Sequence, residues 1–147
     1  MPKYENISTD KIEVNSLFTN AVETFLPSET KTINFYIDHN ETRLVLQTGD
    51  EIEPVLYSST ENTSATPIEI LVNKPVFSPY YRIKVIPGTE DLNIVFNKSA
   101  NNAIEVKTTE LFERIMIWEY APIIYISTAS ASTAKVIIEE VFGIPGV

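Results

Sequence analysis

Near the C-terminus the chain reads Arg114-Ile-Met-Ile-Trp118-Glu-Tyr120, then Ala121-Pro122, then Ile123-Ile-Tyr-Ile126. A Ser/Thr/Ala stretch follows, and then Ala134-Lys-Val-Ile-Ile-Glu139. These are three segments rich in Ile, Val, Tyr and Trp, separated by short breaks. Branched and aromatic residues of this kind suit a pleated, half-buried surface, so three strands are predicted between Arg114 and Val141.

The same pattern recurs upstream. In Thr32-Ile-Asn-Phe-Tyr-Ile37, Ile33, Phe35 and Ile37 share one face. Asp38-His-Asn-Glu41 supplies turn chemistry and Arg43-Leu-Val-Leu-Gln47 returns, so a β-hairpin is predicted here. Further strands are predicted at Val55-Leu-Tyr57, Ile68-Glu-Ile-Leu-Val72, Tyr81-Arg-Ile-Lys-Val-Ile86, Leu92-Asn-Ile-Val-Phe-Asn97 and Ala103-Ile-Glu-Val-Lys107. Ser58 to Pro67 and Lys98 to Asn102 read as polar loops. Thr108 to Arg114 offers at most one short helical turn before the β-branched run takes over. Short strands every roughly 8–12 residues predict an all-β fold, an antiparallel β-sandwich of jelly-roll or Ig-like type. Residues 1–29 are patterned differently and are expected to form an N-terminal arm or edge strand, with 30–147 as the sandwich domain.

Size and composition narrow the function. With 147 residues, 44 % of them hydrophobic, the chain can bury a core without a disulfide or a metal staple. Cysteine is absent, which excludes thiol nucleophiles, Cys-bound zinc and Fe–S clusters. Eleven basic against twenty acidic residues leave a net charge of −9, which repels phosphate backbones, so nucleic acid is not an expected partner. Met1-Pro-Lys-Tyr-Glu-Asn6 carries no apolar segment, so no secretory signal is expected. No apolar run reaches the ~18 residues of a membrane helix, and no membrane partner is expected either.

Candidate chemistry is sparse. His39, the single histidine, sits among turn residues rather than beside a nucleophile. Acidic groups occur at Asp50-Glu51 with Glu53, at Glu90-Asp91 and at Glu139-Glu140. Each reads as a solvated face or turn rather than as a carboxylate pair for glycoside hydrolysis or a Ca²⁺ site. Nucleotide and zincin motifs are missing, and no cofactor is expected. Four Asn-x-Ser/Thr triplets, at Asn6, Asn40, Asn62 and Asn97, match the glycan acceptor pattern as coincidences of a Ser/Thr/Asn-rich chain. Trp118, Tyr120, Tyr125, Tyr80 and Tyr81 form the candidate interaction surface. Aromatic faces stack on sugars, although core packing is the commoner use of such side chains.

Three stretches bear a family likeness. They are Phe35-Tyr-Ile-Asp38 with Leu44-Val-Leu-Gln-Thr-Gly49, then Ile70-Leu-Val-Asn73-Lys-Pro75-Val76, and Ile123-Ile-Tyr-Ile-Ser127 with Ala134-Lys-Val-Ile-Ile-Glu139. Together they resemble small β-structured virion proteins of tailed bacteriophages, the capsid decoration (cement) and head- or tail-associated proteins. The resemblance implies a non-enzymatic homo-oligomer that binds other capsid or tail proteins in a virion assembled in the host cytoplasm. It carries over no functional residue. The terminal segments, residues 1–29 and Phe142-Gly-Ile-Pro-Gly-Val147, suit reaching across to a neighbouring subunit. The alternatives are a carbohydrate- or receptor-binding module, which needs an exposed aromatic platform, and a carboxylate-pair hydrolase, which needs two acids facing each other across a cleft.

Overall fold

The computed structural model describes residues 1–49, 55–76, 78–97 and 102–146. In chain order its strands are β1 (Lys3–Asn6), β2 (Ile12–Ser16), β3 (Val22–Phe25), β4 (Thr30–Thr32), β5 (Leu44–Thr48), β6 (Val55–Thr63) and β7 (Ile68–Leu71). There follow β8 (Tyr80–Pro87), β9 (Leu92–Phe96), β10 (Ile104–Val106), β11 (Phe112–Ile117), β12 (Ile123–Thr128), β13 (Ser132–Val141) and β14 (Gly143–Pro145). One 3-10 turn, Trp118–Tyr120, interrupts them. The protein is all-β, as the residue pattern predicts.

The strands form two units, Met1–Pro54 with Val141–Val147, and Val55–Glu140. The second unit is an insertion in the first. Its two ends are neighbours, because Val55 of β6 lies opposite Glu139 of β13. The division therefore does not fall after Glu29. Residues 1–29 contain three strands, and β1 is the middle strand of the sheet β4-β1-β5. Tyr4, Ile12, Val14 and Phe25 explain this, since all four are buried in one core with Ile33, Phe35, Ile37 and Leu44. The second sheet of this unit is β14-β2-β3.

The hairpin predicted between Thr32–Ile37 and Arg43–Gln47 does not form. Strand β5 pairs antiparallel with β1 instead. Ile33, Phe35 and Ile37 do point into the core, but their backbone is engaged elsewhere. The Ile33 N–H donates to Pro2 O at 3.0 Å, and the Ile37 N–H donates to the Tyr4 hydroxyl at 3.0 Å. Alternation reported which side chains are buried and not which strand they face.

The inserted unit is a sandwich of two four-stranded sheets, β10-β9-β12-β7 and β11-β8-β13-β6. Its pairings are nested: β9 with β10, β8 with β11, β7 with β12, and β6 with β13, all antiparallel. Such a ribbon of four strand pairs has been rolled so that β12 also meets β9 and β13 also meets β8. This is the jelly-roll connectivity of two Greek keys. Ile83, Val85, Leu92, Ile94, Ile124, Ile126, Val136 and Ile138 meet between the sheets with no exposed surface. Each such side chain contributes about 1.5–3 kcal/mol through burial.

Two local readings change. Ser58-Ser-Thr-Glu-Asn-Thr63 is strand, paired along β13, rather than loop. An edge strand tolerates polar side chains because solvent takes one flank. The helical turn comes at Trp118–Tyr120 and not at Thr108–Arg114, because Pro122 prevents β11 from running straight into β12.

Candidate functional site

The Lys74–Glu119 cleft is built where β7 hands over to β8 and where β11 ends. Val72 is gripped twice. Its N–H donates to Pro122 O at 3.0 Å, and its carbonyl accepts the Trp118 Nε1–H at 2.8 Å. The Asn73 amide donates to Leu56 O at 3.1 Å. Further on, the Ser78 N–H donates to Glu140 Oε1 at 2.7 Å, and the Ser78 hydroxyl accepts the Tyr80 N–H at 3.1 Å. Among the described residues, Lys74, Pro75, Ser78, Pro79, Trp118 and Glu119 line a cleft of about 360 Å³. Lys74 Nζ stands 5.7 Å from the indole centroid, within cation–π range.

One aromatic wall, one ammonium and one carboxylate make this a place to hold a small polar molecule with a flat apolar face. Among the described residues lining the cleft, Glu119 is the one acid. Paired-carboxylate hydrolysis needs two.

The five aromatics singled out in the sequence do not form one platform. Tyr81 is fully buried in the sandwich core and donates its hydroxyl to Ala121 O at 2.6 Å. Burial pushes that hydroxyl well above its ordinary pKa. It is a packing residue of the core and, contrary to the expectation from sequence, no part of an interaction surface. Trp118 is half-buried, packed in part against the sandwich core with its N–H consumed, and it lines the cleft with Lys74 over its ring. Tyr120 is 70 % exposed on the 3-10 turn, and its carbonyl accepts the Asn97 amide. Tyr80 lies opposite Ile117 on the outer face of the β8 sheet. Tyr125 lies on the outer face of the β12 sheet, beside Glu69 at 3.2 Å. Period-2 alternation turns Tyr80 and Tyr81 to opposite faces, which adjacency in sequence alone already implies.

The ionisable residues resolve differently. His39 lies in its turn with Nδ1 3.5 Å from the buried Asp38 carboxylate, and Asp38 Oδ1 accepts the Asn40 N–H at 2.9 Å. Glu139 and Glu140 are buried, against the solvated face expected of them. Glu139 pairs with Lys84 at 3.4 Å, and Glu140 fastens Ser78. The group Asp50, Glu51 and Glu53 lies outside the described residues, as does most of the Lys98–Asn102 loop. Asn6 is fully buried and fully bonded, so its acceptor triplet has no glycan access in the folded chain.

A second surface was not singled out in the sequence. The inserted sandwich has four edges: β6, β7, β10 and β11. Strand β10 is three residues long, β6 is polar through its middle, β7 carries Glu69 beside the exposed Leu71, and β11 carries Glu113 and Arg114. Strand β11 has six residues, with Ile115 38 % and Ile117 37 % exposed, and Leu111 just before it is 56 % exposed. Short or charged edges resist pairing with other chains, and each of these four edges is short, charged or polar in part.

No family model, no curated protein and no solved structure matches the chain.

Proposed function

We propose that this chain is a non-enzymatic structural protein of a virion, a capsid decoration or head–tail accessory component. It works by self-association and by attachment to a larger particle, assembled in the host cytoplasm. The observation that carries this reading is the set of partly exposed apolar side chains on the sandwich edge strands, Leu71 on β7 and Ile115 and Ile117 on β11. The jelly roll supports it at the level of fold analogy, since viral capsid and lectin domains both use that connectivity. No helix among the described residues is long and apolar enough to cross a membrane. Co-sedimentation with purified tailed-phage capsids tests the reading. Saturable binding to the particles is the expected result, and a strict monomer that ignores particles overturns it.

The Trp118 cleft favours a second reading, a carbohydrate-binding module. A pyranose ring would stack on the indole while Lys74 donates to, and Glu119 accepts from, its hydroxyls. Trp118 is the sole tryptophan, so fluorescence excited selectively in tryptophan, apart from the seven tyrosines, reports on this cleft. Saturable quenching by a glycan, lost in Lys74→Ala, would move this reading ahead of the first.

A further inference from the structure

We infer that the first unit holds a strand-binding groove, between β2 and Tyr36–Asp38, which the chain fills with its own segment Val141–Gly146 as a strap. This goes beyond the virion reading and does not depend on it.

The segment is gripped along both flanks. On one flank β14 pairs antiparallel with β2, from Gly143 opposite Ser16 to Pro145 opposite Val14. The Leu17 N–H donates to Phe142 O at 3.3 Å, and the Gly146 N–H donates to Glu13 O at 2.6 Å. On the other flank Gly143 forms a parallel bridge with Ile37. Its N–H donates to Tyr36 O at 2.9 Å, and its carbonyl accepts the Asp38 N–H at 2.7 Å. Backbone groups alternate between flanks along a strand, so this is the arrangement of an extended peptide laid between two others. Pro145 is in phase with Gly143, so the ladder to β2 does not call on its missing N–H.

Side chains set what the groove accepts. Val141, Phe142 and Gly143 are buried. The Phe142 ring stands 6.2 Å from that of Phe18 and 6.1 Å from that of Tyr36. Gly143 is the selective position. Its φ lies outside the left-handed region, so backbone freedom does not explain the glycine. Space does. A Cβ there would lie 2.6 Å from Phe35 Cε2 and 3.1 Å from Val14 Cγ1, and both side chains belong to the buried core of this unit. Close-packed core groups do not step aside freely. At Gly146 a Cβ would instead meet Glu13 Oε1 at 2.8 Å and Asn15 Nδ2 at 3.0 Å, the ends of flexible side chains.

Delivery of the strap is tied to the insert. All of Val55–Glu140 separates the groove from the segment that fills it. Closing so long a loop is entropically unfavourable while the intervening chain is unfolded. Once β6 pairs with β13, Val55 stands opposite Glu139 and the loop is already closed. The folded insert therefore presents the strap at high effective concentration, while its own core includes no strap residue.

The test uses the full chain. In Gly143→Val the strap is expected to leave the groove. Hydrogen exchange followed by mass spectrometry should then show residues 12–17 and Asp38 exchanging about tenfold faster or more, with β9 and β12 keeping their protection. Gly143→Ala should give the same pattern to a smaller degree, and Gly146→Ala should match the unaltered chain. A synthetic peptide of residues 139–147, in excess over the Gly143→Val chain, is expected to restore protection at Leu17 and Asp38. The same peptide carrying the Gly143→Val change is expected to restore none. Three results would each overturn the strap: a peptide without effect, equal loss in Gly146→Ala and Gly143→Val, or β9 and β12 losing protection together with β2.

Discussion

Asn6 shows how much one side chain can carry. It is buried at the end of β1, accepts the N–H and hydroxyl of Ser8 at 2.9 and 2.7 Å, and donates to Asp10 O and Leu26 O at 2.7 and 3.1 Å. Asn6→Ala leaves those groups without their partner and is expected to cost about 1–3 kcal/mol in urea denaturation. A loss under ~0.5 kcal/mol, typical of a surface change, would contradict the role. Glu41 gives a pH signature. The Arg43 guanidinium holds its carboxyl below the usual 4.5 through paired bonds, both at 2.7 Å. A lowered folded pKa means the stabilisation is fully present above about 4.5 and is lost as pH falls through the folded value. Arg43→Met is therefore expected to be less stable at neutral pH, with the gap closing below pH 4.5 in thermal melts run across that range. A gap constant with pH would contradict the assignment.

Among the elements, the stretch from Arg114 to Glu139 separates what a sequence states from what it withholds. Its three predicted strands exist, and Ile124, Ile126, Val136 and Ile138 form the core as their alternation implies. Ile115 and Ile117 look the same in sequence, yet they lie on an outer face. Composition reports a tendency to leave water; whether another layer arrives to cover the strand is decided by pairing over long sequence distances. Ile126→Ala is accordingly expected to cost about 2–5 kcal/mol. Ile115→Ala, at a partly exposed position, is expected to cost about 1 kcal/mol, clearly less than Ile126→Ala. Equal losses in chemical denaturation would mean that β11 is core. The first three residues of β6 read as strand, and its polar remainder reads as loop for the converse reason. Ser58 to Thr63 carries loop-like side chains, and its pairing with β13 is specified by the Ala134–Ile138 side of the ladder. The Trp118 cleft joins Lys74, Pro75, Ser78 and Pro79 to Trp118 and Glu119, a closeness that exists only once β7 pairs with β12 and β8 with β11.

For the whole molecule, the organisation is one unit inserted in another, with β6 and β13 adjacent at the crossing points. No composition change marks Pro54 or Glu140, so the sequence offered no sign of the division. The Val55–Glu140 unit owns a complete core and closely spaced ends, which are the conditions for folding alone. Expressed by itself, residues 55–140 should melt cooperatively with a β-type circular dichroism spectrum. A chain without a transition would contradict that autonomy. The larger claim is that this protein works through contact between copies and with a particle rather than through bond chemistry. Sedimentation velocity of the full chain, across a concentration series at high salt, addresses it most directly. A sedimentation coefficient that rises with concentration toward a dimer is the expected result. A single monomer boundary at every concentration would contradict it.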